Sequence, residues 1–161
     1  MRRSPATNAT TATRTGPDPS ADEVAMAARL RLSATRLARR LRQQSHSGLT
    51  PTQLSALAAV DRHGPLTLGD LAQHERVAPP TITKVVAKLE ADGLLTRQAD
   101  PDDRRATLVA TTRSGRKLLD ATRTRKDAWL AARIASLGPD DQARLDQALD
   151  VLDELTGGED A

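Results

Sequence analysis

Residues 77–112 read VAPPTITKVVAKLEADGLLTRQADPDDRRATLVATT, and the folding of this stretch decides the rest. Pro79 and Pro80 suit the first turn of a helix, where a missing backbone N–H is tolerated, and Gly93 suits its end. Between them Ile82, Val85, Val86 and Leu89 recur at helical spacing and predict an inward stripe. Thr81, Thr83, Lys84 and Lys88 fall on the other faces, left to meet a partner. Residues 94–97 then read as a strand, residues 100–103 carry turn chemistry, and residues 107–111 read as the return strand. Arg104 and Arg105 sit beside that turn. A helix followed at once by a small basic hairpin is suited to gripping duplex DNA. The helix can enter the major groove while the hairpin reaches an adjacent groove or the backbone.

Working upstream, Thr67 and Asp70 have capping-box spacing and predict a short helix over residues 68–74 that buries Leu68, Leu71 and Ala72. The turn Glu75-Arg76-Val77 joins it to the helix above. Two short helices around a tight turn, the second with Thr and Lys outward, follow helix-turn-helix logic. Before them, Thr50 reads as an N-cap with Pro51 at the first helical position. That helix carries Leu54, Leu57, Ala58 and Val60 and ends near His63-Gly64-Pro65; Leu66 and Thr67 make a brief extended step. Residues 21–44 predict a long helix with Leu30, Ala34, Leu37 and Leu41 on one face, widened by Met26 and Leu32. Its other face is dense in Arg. This is more apolar stripe than a small domain needs, which points to a partner helix.

Downstream, residues 113–137 predict a second long helix containing Leu118, Leu119, Ala128, Trp129, Ala132 and Ile134. Gly138-Pro139 breaks it, and residues 140–155 form a last helix with Leu145, Leu149, Leu152 and Leu155 on one side. The expected fold is therefore mainly α with a small β-hairpin wing: a winged helix-turn-helix with N- and C-terminal dimerisation helices. The expected parts are a disordered tail (1–20), an N-terminal dimerisation helix (21–48), the winged DNA-binding domain (49–112) and C-terminal dimerisation helices (113–161).

Composition narrows the partners. The 161 residues carry a net charge of +3 and a pI near 9.9, which permits nucleic acid without requiring it. Trp129 is the only aromatic side chain, with no Phe or Tyr. Single-stranded nucleic acid is commonly held by stacking on aromatic rings, so duplex DNA is the expected form. The absence of cysteine excludes disulfides and thiolate metal sites. His46, His63 and His74 match no metal-ligand spacing, and neither metal nor cofactor is expected. No apolar run is long enough to span a membrane and none follows Arg2-Arg3 as an export signal would require, so a cytoplasmic location is expected. There is no nucleophile–base pair or Gly-rich phosphate loop, and an enzyme is not expected.

Several motifs in order carry a resemblance: Leu68-Gly69-Asp70-Leu71-Ala72; Ala78 through Val86; Leu89-Glu90-Ala91-Asp92-Gly93-Leu94-Leu95; and Asp100 through Ala106, ending at Thr111-Thr112. Together they resemble the MarR family of bacterial winged-helix transcription regulators over residues 49–118. The resemblance implies a homodimer whose outer helices intertwine and whose two lobes bind successive major grooves of a pseudo-palindromic operator. It also implies transcriptional control, usually repression, and in many members release from DNA by a small-molecule effector.

Carried onto this chain, the resemblance places Pro80 and Thr81 at the amino end of the reader helix, where N–H groups and the helix dipole suit a phosphate. Thr83 and Lys84 become groove readers and Lys88 a phosphate contact. In the wing, Asp103 would orient Arg105 into the minor groove, with Arg104 beside it and Arg97 reaching the DNA backbone. Arg62 and His63, with Trp129, are the candidate effector-pocket residues. Ala78 departs from the family's usual Ser and removes a side-chain cap. The blander readings are a solvated helix face for Thr83 and Lys84 and a solvated turn for Arg104 and Arg105. The alternative function is a non-specific architectural DNA-binding protein, which needs only phosphate contacts.

Overall fold

Capping chemistry sets where most helices begin in the computed structural model, which describes residues 18–44, 47–101, 103 and 106–157. Most of the tail expected over residues 1–20 thus lies outside the described residues, as do His46, Asp102, Arg104 and Arg105. Helix α1 (Ala21–Gln43) starts at Ser20, whose N–H and hydroxyl donate to Glu23 Oε2 at 2.6 and 2.8 Å. These bonds, the backbone one foremost, hold the Glu23 carboxyl below its ordinary value of 4.5. A depressed carboxyl stabilises above its unfolded value and loses that contribution as pH falls through the folded one. The first turn of α1 is therefore expected to fray in acid, which amide exchange at Glu23 would register.

Helix α2 (Pro51–His63) begins with a full capping box: Gln53 N–H donates to Thr50 Oγ1 at 3.2 Å and Thr50 N–H to Gln53 Oε1 at 2.9 Å. Helix α3 (Leu68–Glu75) starts at Thr67, which accepts from Asp70 N–H at 3.1 Å and donates its hydroxyl to Asp70 Oδ2 at 2.7 Å. Helix α4 (Pro79–Ala91) follows after three residues and closes on Gly93, whose φ of 70° suits glycine. Helix α5 (Arg113–Ala135) starts at Thr112. Helix α6 (Pro139–Thr156) has no side-chain cap; instead Gln142 Nε2 donates to the carbonyls of Ile134 and Leu137, both at 3.1 Å, and ties α6 to the end of α5.

Strands β1 (Leu66–Thr67), β2 (Leu95–Ala99) and β3 (Thr107–Thr111) form one antiparallel sheet in the order β1-β3-β2. The expected two-stranded wing is thus widened. The extended step at Leu66 and Thr67 pairs with Val109 and Leu108, because its backbone groups need partners. Strand β2 also runs to Ala99, two residues past the expected end, in register with Thr107.

The core lies where these pieces meet. Leu57 and Val60 of α2, Leu71 of α3, Ile82, Val86 and Leu89 of α4, and Val109 of β3 are fully buried. Leu119 joins them from α5. The chain divides into two units, one up to Leu37 and one from Ala38. In the first, no residue of α1 is buried, and Val24, Met26, Leu30 and Leu32 stand in solvent. In the second, α6 likewise buries none, with Leu149, Val151 and Leu155 exposed. Among the described residues no helix is long and apolar enough to cross a membrane.

Candidate nucleic-acid interface

The two faces of α4 are cleanly sorted. Ile82, Val86 and Leu89 are sealed in the core and Val85 is half-buried, while Thr81, Thr83, Lys84 and Lys88 are exposed. The stripe fixes the rotation of the helix, so those polar groups are its outward face. Among the described residues Lys84 has no ion pair. Lys88 Nζ lies 2.6 Å from Asp92 Oδ1, an exposed pair of small energetic weight that a phosphate can displace. Thr83 Oγ1 donates to Pro79 O at 3.0 Å, which leaves its oxygen free to accept.

The amino end of α4 departs from expectation. Pro79 and Pro80 have no N–H, and the amides of Thr81 and Ile82 both turn back to Ala78 O, at 2.9 and 3.3 Å. With no side-chain cap at Ala78 either, this end offers a dipole but no free amide. Of the N–H groups expected to suit a phosphate there, Pro80 has none and that of Thr81 is taken by Ala78 O; what Thr81 offers is its exposed hydroxyl.

In the wing, β2 and β3 pair from Leu95 with Thr111 out to Ala99 with Thr107. The turn is held by Asp100 N–H to Ala106 O at 3.2 Å and Ala106 N–H to Asp103 O at 2.9 Å. The Asp103–Arg105 pairing implied by the resemblance falls outside the described residues. Arg97 is exposed and paired: its Nε donates to both oxygens of Glu90, at 2.9 and 3.0 Å, tying β2 to the last turn of α4. Sequence reasoning missed this bond, although opposite charges seven residues apart across a glycine turn were a usable signal. Thr112 was missed as well. Its hydroxyl donates to Gly93 O at 2.7 Å and accepts from Gly115 N–H at 3.1 Å, and its N–H donates to Leu94 O at 3.0 Å.

The candidate effector residues are only partly brought together. Arg62 and His63 line a recess of about 220 Å³ with Ala58, Ala59, His74 and Glu75. The rings of His63 and His74 stack at 4.6 Å and 16°. Nearly parallel rings aim their in-plane lone pairs side by side, so this arrangement does not converge on one metal ion. Trp129 does not line that recess; Arg133 Cζ lies 5.1 Å from its ring centroid on the same helix.

Known proteins share this arrangement. The MarR family model matches residues 49–107. An uncharacterized HTH-type transcriptional regulator of Mycobacterium leprae is 39% identical over 131 residues, 81% of this chain and 92% of that one. The Pseudomonas putida transcriptional repressor NicR is 40% identical over 73 residues, 45% of this chain and 46% of its own. A solved regulator structure from Pseudomonas aeruginosa superposes with a TM-score of 0.76 at 33% identity, over 86% of this chain and 98% of that one. The family model stops at the wing, but the Mycobacterium leprae match runs well beyond it. By that reach and that fold, the chain belongs to the MarR family: it is a DNA-binding transcriptional regulator, not an enzyme.

Proposed function

We propose that this regulator is a sequence-specific repressor that binds a pseudo-palindromic operator as a homodimer and is released by a small-molecule effector. The observation that carries the reading is the outward face of α4, with Lys84, unpaired among the described residues, beside Thr83 on a helix whose rotation the core fixes. Two such helices held a fixed distance apart match successive major grooves. The unburied leucines of α1 support the homodimer, and the repressor name of the Pseudomonas putida relative supports the sign of regulation. In this reading α1, α5 and α6 make the dimer domain, residues 49–112 make the reader, and the protein works in the cytoplasm.

Pro80, Thr81, Thr83, Lys84 and Lys88 face the major groove and its phosphates. Arg104 and Arg105 enter the minor groove, with Asp103 orienting Arg105. The recess at Arg62 and His63 is the seat we assign to the effector. A ligand that favours a different lobe separation weakens DNA binding by linkage.

Selection from a random duplex library followed by affinity titration tests this. The selected palindrome should bind at least about tenfold tighter than random duplex, since specific sites commonly exceed that margin by far. A smaller ratio would favour an architectural binder. Lys84→Ala should cost about 1–3 kcal/mol on the palindrome, and Arg105→Ala a similar amount with a shallower salt slope. Unchanged affinity of either variant in a fluorescence titration would remove that residue from the interface.

A further inference from the structure

The turn between α3 and α4 holds a residue that backbone chemistry does not favour there. Arg76 has φ 51° and ψ 41°, the left-handed region, and is the one non-glycine with positive φ among the described residues. The conformation is needed: the amide of Arg76 donates to Gln73 O at 3.1 Å and that of Val77 to Ala72 O at 3.1 Å, closing α3. Glycine would make this turn without strain. A long cationic side chain at such a position calls for a role outside the turn itself.

Folding contacts do not supply one. Among the described residues the Arg76 guanidinium has no hydrogen bond or ion pair, and the side chain is exposed. The carboxylate beside it, Asp70, takes the Thr67 hydroxyl instead. Meanwhile Arg76 stands two residues ahead of Ala78, where the reader helix begins with no free amide and no side-chain cap. That end keeps the positive end of a helix dipole but lacks the donors that would hold a phosphate.

We infer that Arg76 is a DNA-contacting residue, which places a guanidinium on the backbone phosphate beside the amino end of α4 and replaces the amides lost to Pro79 and Pro80. This inference rests on α4 being the groove reader. Phosphate contact carries no sequence information, so Arg76 strengthens binding to every duplex and leaves the choice of operator to α4 and the wing.

Arg76→Gly separates this role from folding. The substitution relieves the left-handed strain, so Tm should stay level or rise by roughly 2–5 °C. Affinity for a random-sequence duplex, titrated over a KCl series, should fall about 3- to 10-fold, and the salt slope should shrink by about 0.9, one phosphate's share. Arg76→Ala, which keeps the strain, should lose the same affinity and slope, while Arg76→Lys should retain the slope. Wild-type affinity and slope in both Arg76→Gly and Arg76→Ala would overturn the proposal. So would a fall in Tm for Arg76→Gly, which would mark the side chain as packing. The parent reading fails separately: Lys84→Ala would then leave affinity for the selected palindrome unchanged, whatever Arg76 does.

Discussion

Gly115→Ala is expected to destabilise the protein by about 3 kcal/mol, at the upper end of what overpacking costs. On helix propensity alone the change would help, by up to about 1 kcal/mol, because Gly115 sits inside α5. Packing reverses the sign. A Cβ at this buried position would lie 2.4 Å from the carbonyl oxygen of Leu94, 2.9 Å from Thr111 Cγ2 and 3.2 Å from Leu57 Cδ1. The closest of these cannot swing aside, since Leu94 O is backbone and accepts both the N–H and the hydroxyl of Thr112. Urea denaturation measures the outcome, and a midpoint at or above wild type would show that α5 can shift away from the sheet at little cost.

The second large effect is expected on assembly. Leu30→Glu with Leu37→Glu should convert the protein to a monomer at micromolar concentration and weaken binding to the full palindrome about 100-fold or more. Leu30 and Leu37 are 41% and 44% exposed although they lie on the same face of a long helix. Covering a leucine stabilises by roughly 1.5–3 kcal/mol, and in a homodimer each position is counted twice. Two carboxylates on that face add the cost of burying charge, which is larger still. Glu is a good helix former, so α1 itself should persist, which circular dichroism verifies. Sedimentation showing an intact dimer would refute α1 as the dimer contact and direct attention to α6. A single half-site, bound by one lobe, should be nearly indifferent to the change.

Much of the fold was legible because its signals are local. Pro51, Pro79 and Gly93 mark helix ends by their own backbone limits, and Ile82, Val86 and Leu89 declare a buried face by spacing alone. The capping box of Thr50 and Gln53 was equally local and was passed over. What escaped was non-local. Leu66 and Thr67 become a strand only because β3 arrives more than forty residues later to pair with them. Arg97 was expected to reach the DNA backbone; its ion pair with Glu90 was not foreseen, since that carboxylate belongs to another element. Nothing in the sequence marks Gly115; only the packed neighbours show that a Cβ there has no room. At the reader helix, the general affinity of helix starts for phosphate was applied to two residues, of which one is a proline without an N–H. Arg76 was visible as a turn residue, but its left-handed backbone was not.

One small hydroxyl bears on how regulation would be transmitted. Through Thr112, the turn after α4, the residue just before β2 and the first turn of α5 share a single knot of hydrogen bonds, packed against Gly115 with no room for even a methyl group. Such a joint has no slack. A joint packed this tightly would carry the turn after α4, the base of the wing and the first turn of α5 together, with Thr112 as the fulcrum. A small tilt of α5 would then be passed on to the wing instead of being absorbed on the way. Loosening the joint with Thr112→Val should uncouple the two ends: the protein would still hold DNA, but the effector release proposed above would be blunted.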